Sequence, residues 1–159
     1  MIKLATKKVA TIATEKKQKV ILWIDNEQSK HSVNCSFLET FGYEICFARN
    51  SLEALEKIRK NIPELVILDL MIPGTNGYQI CGLLKRDVRF SNVPIIVISA
   101  RFSEEDRIRA KSTGADAYII KPFQIQTLLA KVNTLINGKK LWQEPVTEQP
   151  GLGYVQSRF

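Results

Sequence analysis

Acidic, hydroxyl and basic side chains stand directly behind short apolar runs at four places in the chain. Asp25-Asn26-Glu27 follows the run 20–24, and Asp69 follows 65–68. Ser99-Ala100 follows 93–98, and Lys121-Pro122 follows 117–120. A lone Asp in such a place more often caps a helix than performs chemistry. Four such ends carry more weight if the runs are parallel strands of one open sheet, because ligands of such sheets bind outside the carboxyl ends of the strands. The groups would then meet at one edge. An oxygen-only, acidic set of this kind suits Mg²⁺, which keeps several waters and takes one or two carboxylates.

The pattern between those points supplies the required elements. Runs 20–24, 43–48, 65–68, 93–98 and 117–120 are near-continuous apolar stretches, as expected of strands covered on both faces. Between them lie stretches with helical spacing. Val33, Phe37, Leu38 and Phe41 lead to Gly42, and Leu52, Leu55 and Ile58 lie in 51–59, which Pro63 closes. Ile80, Leu83 and Leu84 lie in 78–85, after the turn-rich Ile72-Pro73-Gly74-Thr75-Asn76-Gly77. Ser103 is a good N-cap for a helix to about 112, with Glu104, Glu105 and Asp106 in its first turn and Gly114 beyond its end. The last helix spans about 124–136, stopped by Gly138. Five strands alternating with five helices predict a doubly wound α/β domain with a parallel sheet. Trp23 is expected in the core, and His31 on the surface of the first helix.

The 159 residues fit one domain with short extras. Apolar residues make up 45% and charged residues 25%, which excludes a mostly disordered or low-complexity chain. No run of about 18 apolar residues is present, so no membrane span is expected. Cys35, Cys46 and Cys81 show neither CxxC nor zinc spacing, which predicts reduced thiols in the cytoplasm. The net charge is +7, but six of the lysines fall in residues 1–19. Residues 20–137 are nearly neutral, so nucleic acid is not an expected partner of the body. The expected organisation is a basic, flexible arm at 1–18, the domain at 19–137 and a tail at 138–159. The tail carries Trp142, Tyr154 and Phe159, and is read as disordered or packed back on the body, with a docking segment as the alternative.

Over residues 19–137 the sequence resembles the receiver domain of bacterial two-component response regulators. The segment Val66-Ile67-Leu68-Asp69-Leu70-Met71-Ile72-Pro73-Gly74-Thr75-Asn76-Gly77 is similar to the loop carrying the family's phosphoacceptor Asp. Ile98-Ser99-Ala100 matches its hydroxyl position, Lys121-Pro122-Phe123 its lysine–cis-proline corner, and Tyr118 its aromatic switch position. The spacings from Asp69 to Ser99 and from Ser99 to Lys121 also fit. The resemblance implies a (βα)5 flavodoxin-like fold with strand order 2-1-3-4-5.

It also implies roles. Asp69 would be the nucleophile and a ligand of Mg²⁺, with Asp25, Asn26 and the main-chain carbonyl of Met71 completing the metal set. Lys121 would pair with one phosphoryl oxygen and Ser99 with another. Ser99 and Tyr118 would be the switch, remodelling the face of the fourth helix, fifth strand and fifth helix. The partners implied are a histidine kinase or histidine phosphotransfer protein upstream and a protein target at that face. With 22 residues after 137, the layout is that of a stand-alone, chemotaxis- or phosphorelay-like regulator. It would phosphorylate itself rather than turn over a substrate. Ala117 and Asn133 stand where DNA-binding regulators often carry charge, which argues against their dimer mode. Met71 and Arg101 stand where the family tunes hydrolysis.

One departure is Asn26, where the family usually has a second acid. An amide oxygen can bind Mg²⁺ without a formal charge, which predicts weaker Mg²⁺ affinity with phosphorylation retained; Glu27 could compensate. The competing reading is a degenerate pseudo-receiver that keeps the fold as a phosphorylation-independent binding module. Intact Asp69, Ser99 and Lys121 argue against it. A haloacid-dehalogenase-type phosphatase needs a second Asp where Met71 stands. A flavodoxin-type electron carrier would place its flavin phosphate against the acidic Asp25-Asn26-Glu27 loop. A nucleic-acid module rests on the basic arm alone.

Overall fold

The computed structural model describes residues 16–142. The greater part of the basic arm, residues 1–15, and the tail from 143 onward lie outside them, Tyr154 and Phe159 included. Among the described residues, five strands alternate with five α-helices. In chain order these are β1 (Lys19–Ile24), α1 (Ser32–Thr40), β2 (Tyr43–Ala48), α2 (Ser51–Lys60), β3 (Leu65–Asp69), α3 (Gly77–Arg86), β4 (Ile95–Ser99), α4 (Glu104–Ser112), β5 (Ala117–Ile120) and α5 (Ile125–Ile136). The strands form one parallel sheet in the order β2-β1-β3-β4-β5. This is the flavodoxin-like order expected from the sequence.

The apolar runs feed two cores. Leu22, Ile24, Val66, Leu68, Ile95 and Val97 point to the face carrying α2, α3 and α4. Ile21, Trp23, Leu65, Ile67, Ile96 and Ile98 point to the face carrying α1 and α5. Every second residue of a strand serves the same face, so a continuously apolar run is required when both faces are covered. Side chains of Leu, Ile and Phe size contribute about 1.5–3 kcal/mol each when fully buried.

Helix starts follow local chemistry. The side chain of Asn50 accepts from the Glu53 N–H, that of Asn76 from Tyr78, and that of Ser103 from Asp106. Glu104, Glu105 and Asp106 fill the first turn of α4, where the helix dipole favours negative charge. Gly114, beyond the end of α4, has φ +103°, a conformation that disfavours side chains.

Two expectations are corrected. The first helix does not bury Val33 and Phe41, which are 79% and 56% exposed; its fully buried side chain is Leu38. A 3-10 turn, Gln28–His31, precedes α1. His31, the last residue of that turn, is buried against Asp25 rather than lying on the surface. At the other end the chain packs back on the domain. Leu141 and Trp142 lie against the two cores, and the Trp142 indole N–H bonds to the Ala115 carbonyl.

Candidate functional site

The sheet topology brings the chemistry-bearing residues together. Ile24 is in register with Leu68, so Asp25 and Asp69 follow on adjacent strands. The Asp25 N–H still donates to the Ala48 carbonyl at 2.9 Å, and the Lys121 N–H to the Ser99 carbonyl at 2.8 Å, which extends the ladder past the strand ends. Counting alternately, Asp25, Asp69 and Lys121 fall on the α1/α5 side of the sheet. Ser99 and Tyr118 fall on the α3/α4 side. The two acids and the lysine on one side, and the expected switch pair on the other, thus occupy opposite faces of one edge.

Asp25, Asp69 and Ser99 are buried polar side chains. Lys121 Nζ is bonded to Asp69 Oδ2 and stands 3.7 Å from Asp25 Oδ2. Asp69 Oδ1 accepts from the Met71 N–H at 2.7 Å. The Lys121-Pro122 peptide bond is cis. Two carboxylates taken out of water need counter-charge, and one ammonium serves both.

Asp25 has a further partner. Its Oδ1 accepts from the Glu27 N–H at 2.9 Å, and its Oδ2 lies 2.7 Å from His31 Nε2. Burial opposes ionisation of Asp25. The His31 bond, the Glu27 N–H and the attraction of His31 and Lys121 outweigh it and hold the carboxyl at about 2. An ionised carboxylate only accepts, so Nε2 is the donor. The imidazole packs against Trp23 at 4.6 Å between ring centroids and against Phe47 at 6.1 Å. Sequence reasoning missed this residue. Its signal was the spacing of His31, Cys35 and Leu38, which share one helical face with i, i+4, i+7 periodicity.

Asn26 and Glu27 are exposed, and Glu27 pairs with Lys30 at 2.6 Å. Met71 is 52% exposed. The donor set fits Mg²⁺: two buried carboxylates on neighbouring strand ends, with main-chain oxygens and solvent beside them. No group of three or more His, Cys, Asp or Glu among the described residues is placed to hold a metal ion by itself. A cation here would therefore rely on Asp25 and Asp69 together with neutral oxygens.

On the other face of the edge, Ser99 Oγ accepts from the Arg101 N–H at 3.1 Å, and the Tyr118 hydroxyl donates to the Arg101 carbonyl at 2.8 Å. Burial raises the Tyr118 phenol above its usual range. Arg101 also reaches Met71 Sδ at 3.3 Å and Asp106 at 3.4 Å. The loop behind β4 therefore connects the Ser99 hydroxyl, the Tyr118 ring, the loop behind Asp69 and the start of α4.

The family model for the response regulator receiver domain matches residues 21–133. Among curated proteins, the phosphate regulon transcriptional regulatory protein PhoB of Klebsiella pneumoniae is 35% identical over 133 residues, covering 83% of this chain and 58% of that protein. The chain spans about half the length of the curated relatives it matches. Among solved structures, a CheY-like response regulator receiver domain protein from Methanospirillum hungatei aligns with TM-score 0.69 and 27% identity, over 75% of this chain and 94% of that one. A response regulator protein from Burkholderia pseudomallei, solved with a phosphorylated aspartic acid, calcium ion and citrate, aligns with TM-score 0.67 and 26% identity, over 75% and 69%.

Proposed function

Since this chain belongs to the response regulator receiver domain family, we propose that it accepts a phosphoryl group on Asp69 from a histidine kinase or histidine phosphotransfer protein. The observation that carries this reading is the placement of Asp69, buried at the end of the central strand β3 beside Asp25 with the Lys121 ammonium on its carboxylate. The phosphorylated aspartic acid of the Burkholderia pseudomallei neighbour supports it.

In the proposed step an Asp69 carboxylate oxygen forms a bond to phosphorus in line with the leaving group. The P–N bond of the donor phosphohistidine breaks, and its imidazole leaves and takes up a proton. Such transfer depends mostly on positioning and charge neutralisation. The Met71 N–H fixes the orientation of the Asp69 carboxylate, and Lys121 offers its ammonium to a phosphoryl oxygen. Asp25, Asp69, the Met71 carbonyl and Asn26 would hold Mg²⁺, which supplies further positive charge to the transferring group.

The new dianion draws the Ser99 hydroxyl away from the Arg101 N–H, and Tyr118 and the loop behind β4 follow. This is a population shift biased by local electrostatics. The signal would leave through the face of α4, β5 and α5 to a protein target, in a cytoplasmic two-component pathway. Cys35, Cys46 and Cys81 are free, in keeping with a reducing compartment.

Intact-protein mass after incubation with acetyl phosphate and Mg²⁺ tests the proposal. One phosphoryl adduct, about 80 Da by the chemistry of phosphoryl transfer, is expected in the wild type and not in Asp69→Asn. A wild type without adduct would leave only a phosphorylation-independent binding module.

A further inference from the structure

We propose that His31 is a positioning residue for the metal-binding carboxylate of Asp25, setting Mg²⁺ affinity by holding that carboxylate in one orientation. The inference rests on the Mg²⁺ reading above.

Three observations converge on it. The first is the bond itself, 2.7 Å from Nε2 to Oδ2, between side chains that are 9% and 3% exposed. Together with the Glu27 N–H on Oδ1, it engages both oxygens and restrains rotation of the carboxylate. The second is the seat of the imidazole, which lies against Trp23 and Phe47 on two strands of the sheet. The position of the carboxylate is thereby referred to the rigid core rather than to the exposed loop behind β1. The third is His31 Nδ1, buried and without a protein partner among the described residues. A residue kept only to fill space between Trp23 and Phe47 needs no nitrogen at all. Burying one unpaired nitrogen is a cost, and the bond of the other nitrogen to Asp25 is what the ring gains.

Asn26 sharpens the consequence. With an uncharged amide beside it, and with Glu27 paired to Lys30 at the surface, Asp25 is the negative charge that β1 presents to the site. Partners that orient a metal ligand are typically worth about 10- to 100-fold in affinity. His31 stands in that relation to Asp25.

The test is a MgCl₂ titration followed by Trp23 emission, since Trp23 is fully buried and touches His31. A Trp142→Phe background removes the second indole. The Mg²⁺-induced rise in melting temperature is read in parallel, because that increment reports metal linkage separately from basal stability. His31→Leu keeps bulk and removes the donor. His31→Gln carries an N–H at similar reach. The expected result is a Kd raised about 10-fold or more in His31→Leu and largely restored in His31→Gln. If His31→Leu fails to fold, His31→Asn, one methylene short of Gln, must weaken binding where Gln does not. Equal affinity in wild type and His31→Leu overturns the inference and leaves the Mg²⁺ reading standing, as does a Gln variant as weak as Leu. A wild type with no Mg²⁺ response in either readout overturns both.

Discussion

Lys121 and Asp69 are joined by a direct ammonium–carboxylate bond across the end of β4, and the same ammonium is 3.7 Å from Asp25. One cation therefore balances two buried acids before any phosphoryl group arrives. Transfer to Asp69 places a near-dianion where the ammonium already stands, and the bond passes from carboxylate to phosphoryl oxygen. Lys121→Met keeps the stem and removes the charge. Its initial rate of phosphorylation by acetyl phosphate, read by intact mass, is expected to fall at least about 10-fold. An unchanged rate would show that Lys121 takes no part in the transfer.

Gly77 opens α3 against the strand that carries Asp69. A Cβ there would lie 2.7 Å from Leu70 Cα and 3.1 Å from the Asp69 carbonyl oxygen. These are main-chain atoms, so the Asp69-Leu70 segment itself would have to move. Helix propensity alone predicts that Gly77→Ala stabilises by up to about 1 kcal/mol. The close approach predicts the reverse, a loss of about 1–3 kcal/mol in urea unfolding, with slower phosphorylation of Asp69. A neutral or stabilising result would contradict this packing.

Asn26→Asp restores a formal charge beside Asp25. The account predicts tighter Mg²⁺ binding, by about 5-fold or more for a charge at such range, measured as the midpoint of a MgCl₂ titration. Phosphorylation should occur in both proteins. Equal midpoints would mean that residue 26 is not a ligand.

Asp25 gives the metal-free protein an acid-sensitive contribution to stability. Its folded carboxyl sits at about 2, below the ordinary 3.8. The unfolded state therefore binds a proton first as the pH falls. The contribution is complete above about pH 5 and is lost as the pH drops through about 4 toward about 2. Asp25→Asn should show a shallower loss of stability across that window in thermal melts without Mg²⁺. Parallel pH profiles for the two proteins would contradict the assigned shift.

Much of the architecture was legible because burial on both faces forces continuous apolar runs, and runs that end in Asp, Ser or Lys announce their edge. The convergence of Asp25, Asp69, Ser99 and Lys121 on one edge was legible that way, and β2 and β5 have the bounds the pattern predicts. His31 was not found, because the helical phase was taken from Val33, Phe37, Leu38 and Phe41, and His31 was left off it. Of these, Leu38 is fully buried while Val33 and Phe41 are exposed, and a 3-10 turn at Gln28–His31 stands before the helix. The inward line runs through His31, Cys35 and Leu38. Similarly, no local signal could tell that Trp142 folds back, since its partner Ala115 lies before β5 and is brought near only by the completed sheet.

The central claim is that Asp69 itself receives the phosphoryl group. Reductive trapping tests it most directly: the protein is incubated with acetyl phosphate and Mg²⁺, treated with borohydride, digested and sequenced by mass spectrometry. An acyl phosphate on an aspartate is reduced to homoserine, so the account predicts homoserine at position 69 and unmodified aspartate at position 25. Homoserine at another position, or none at all from folded protein in saturating Mg²⁺, would contradict it.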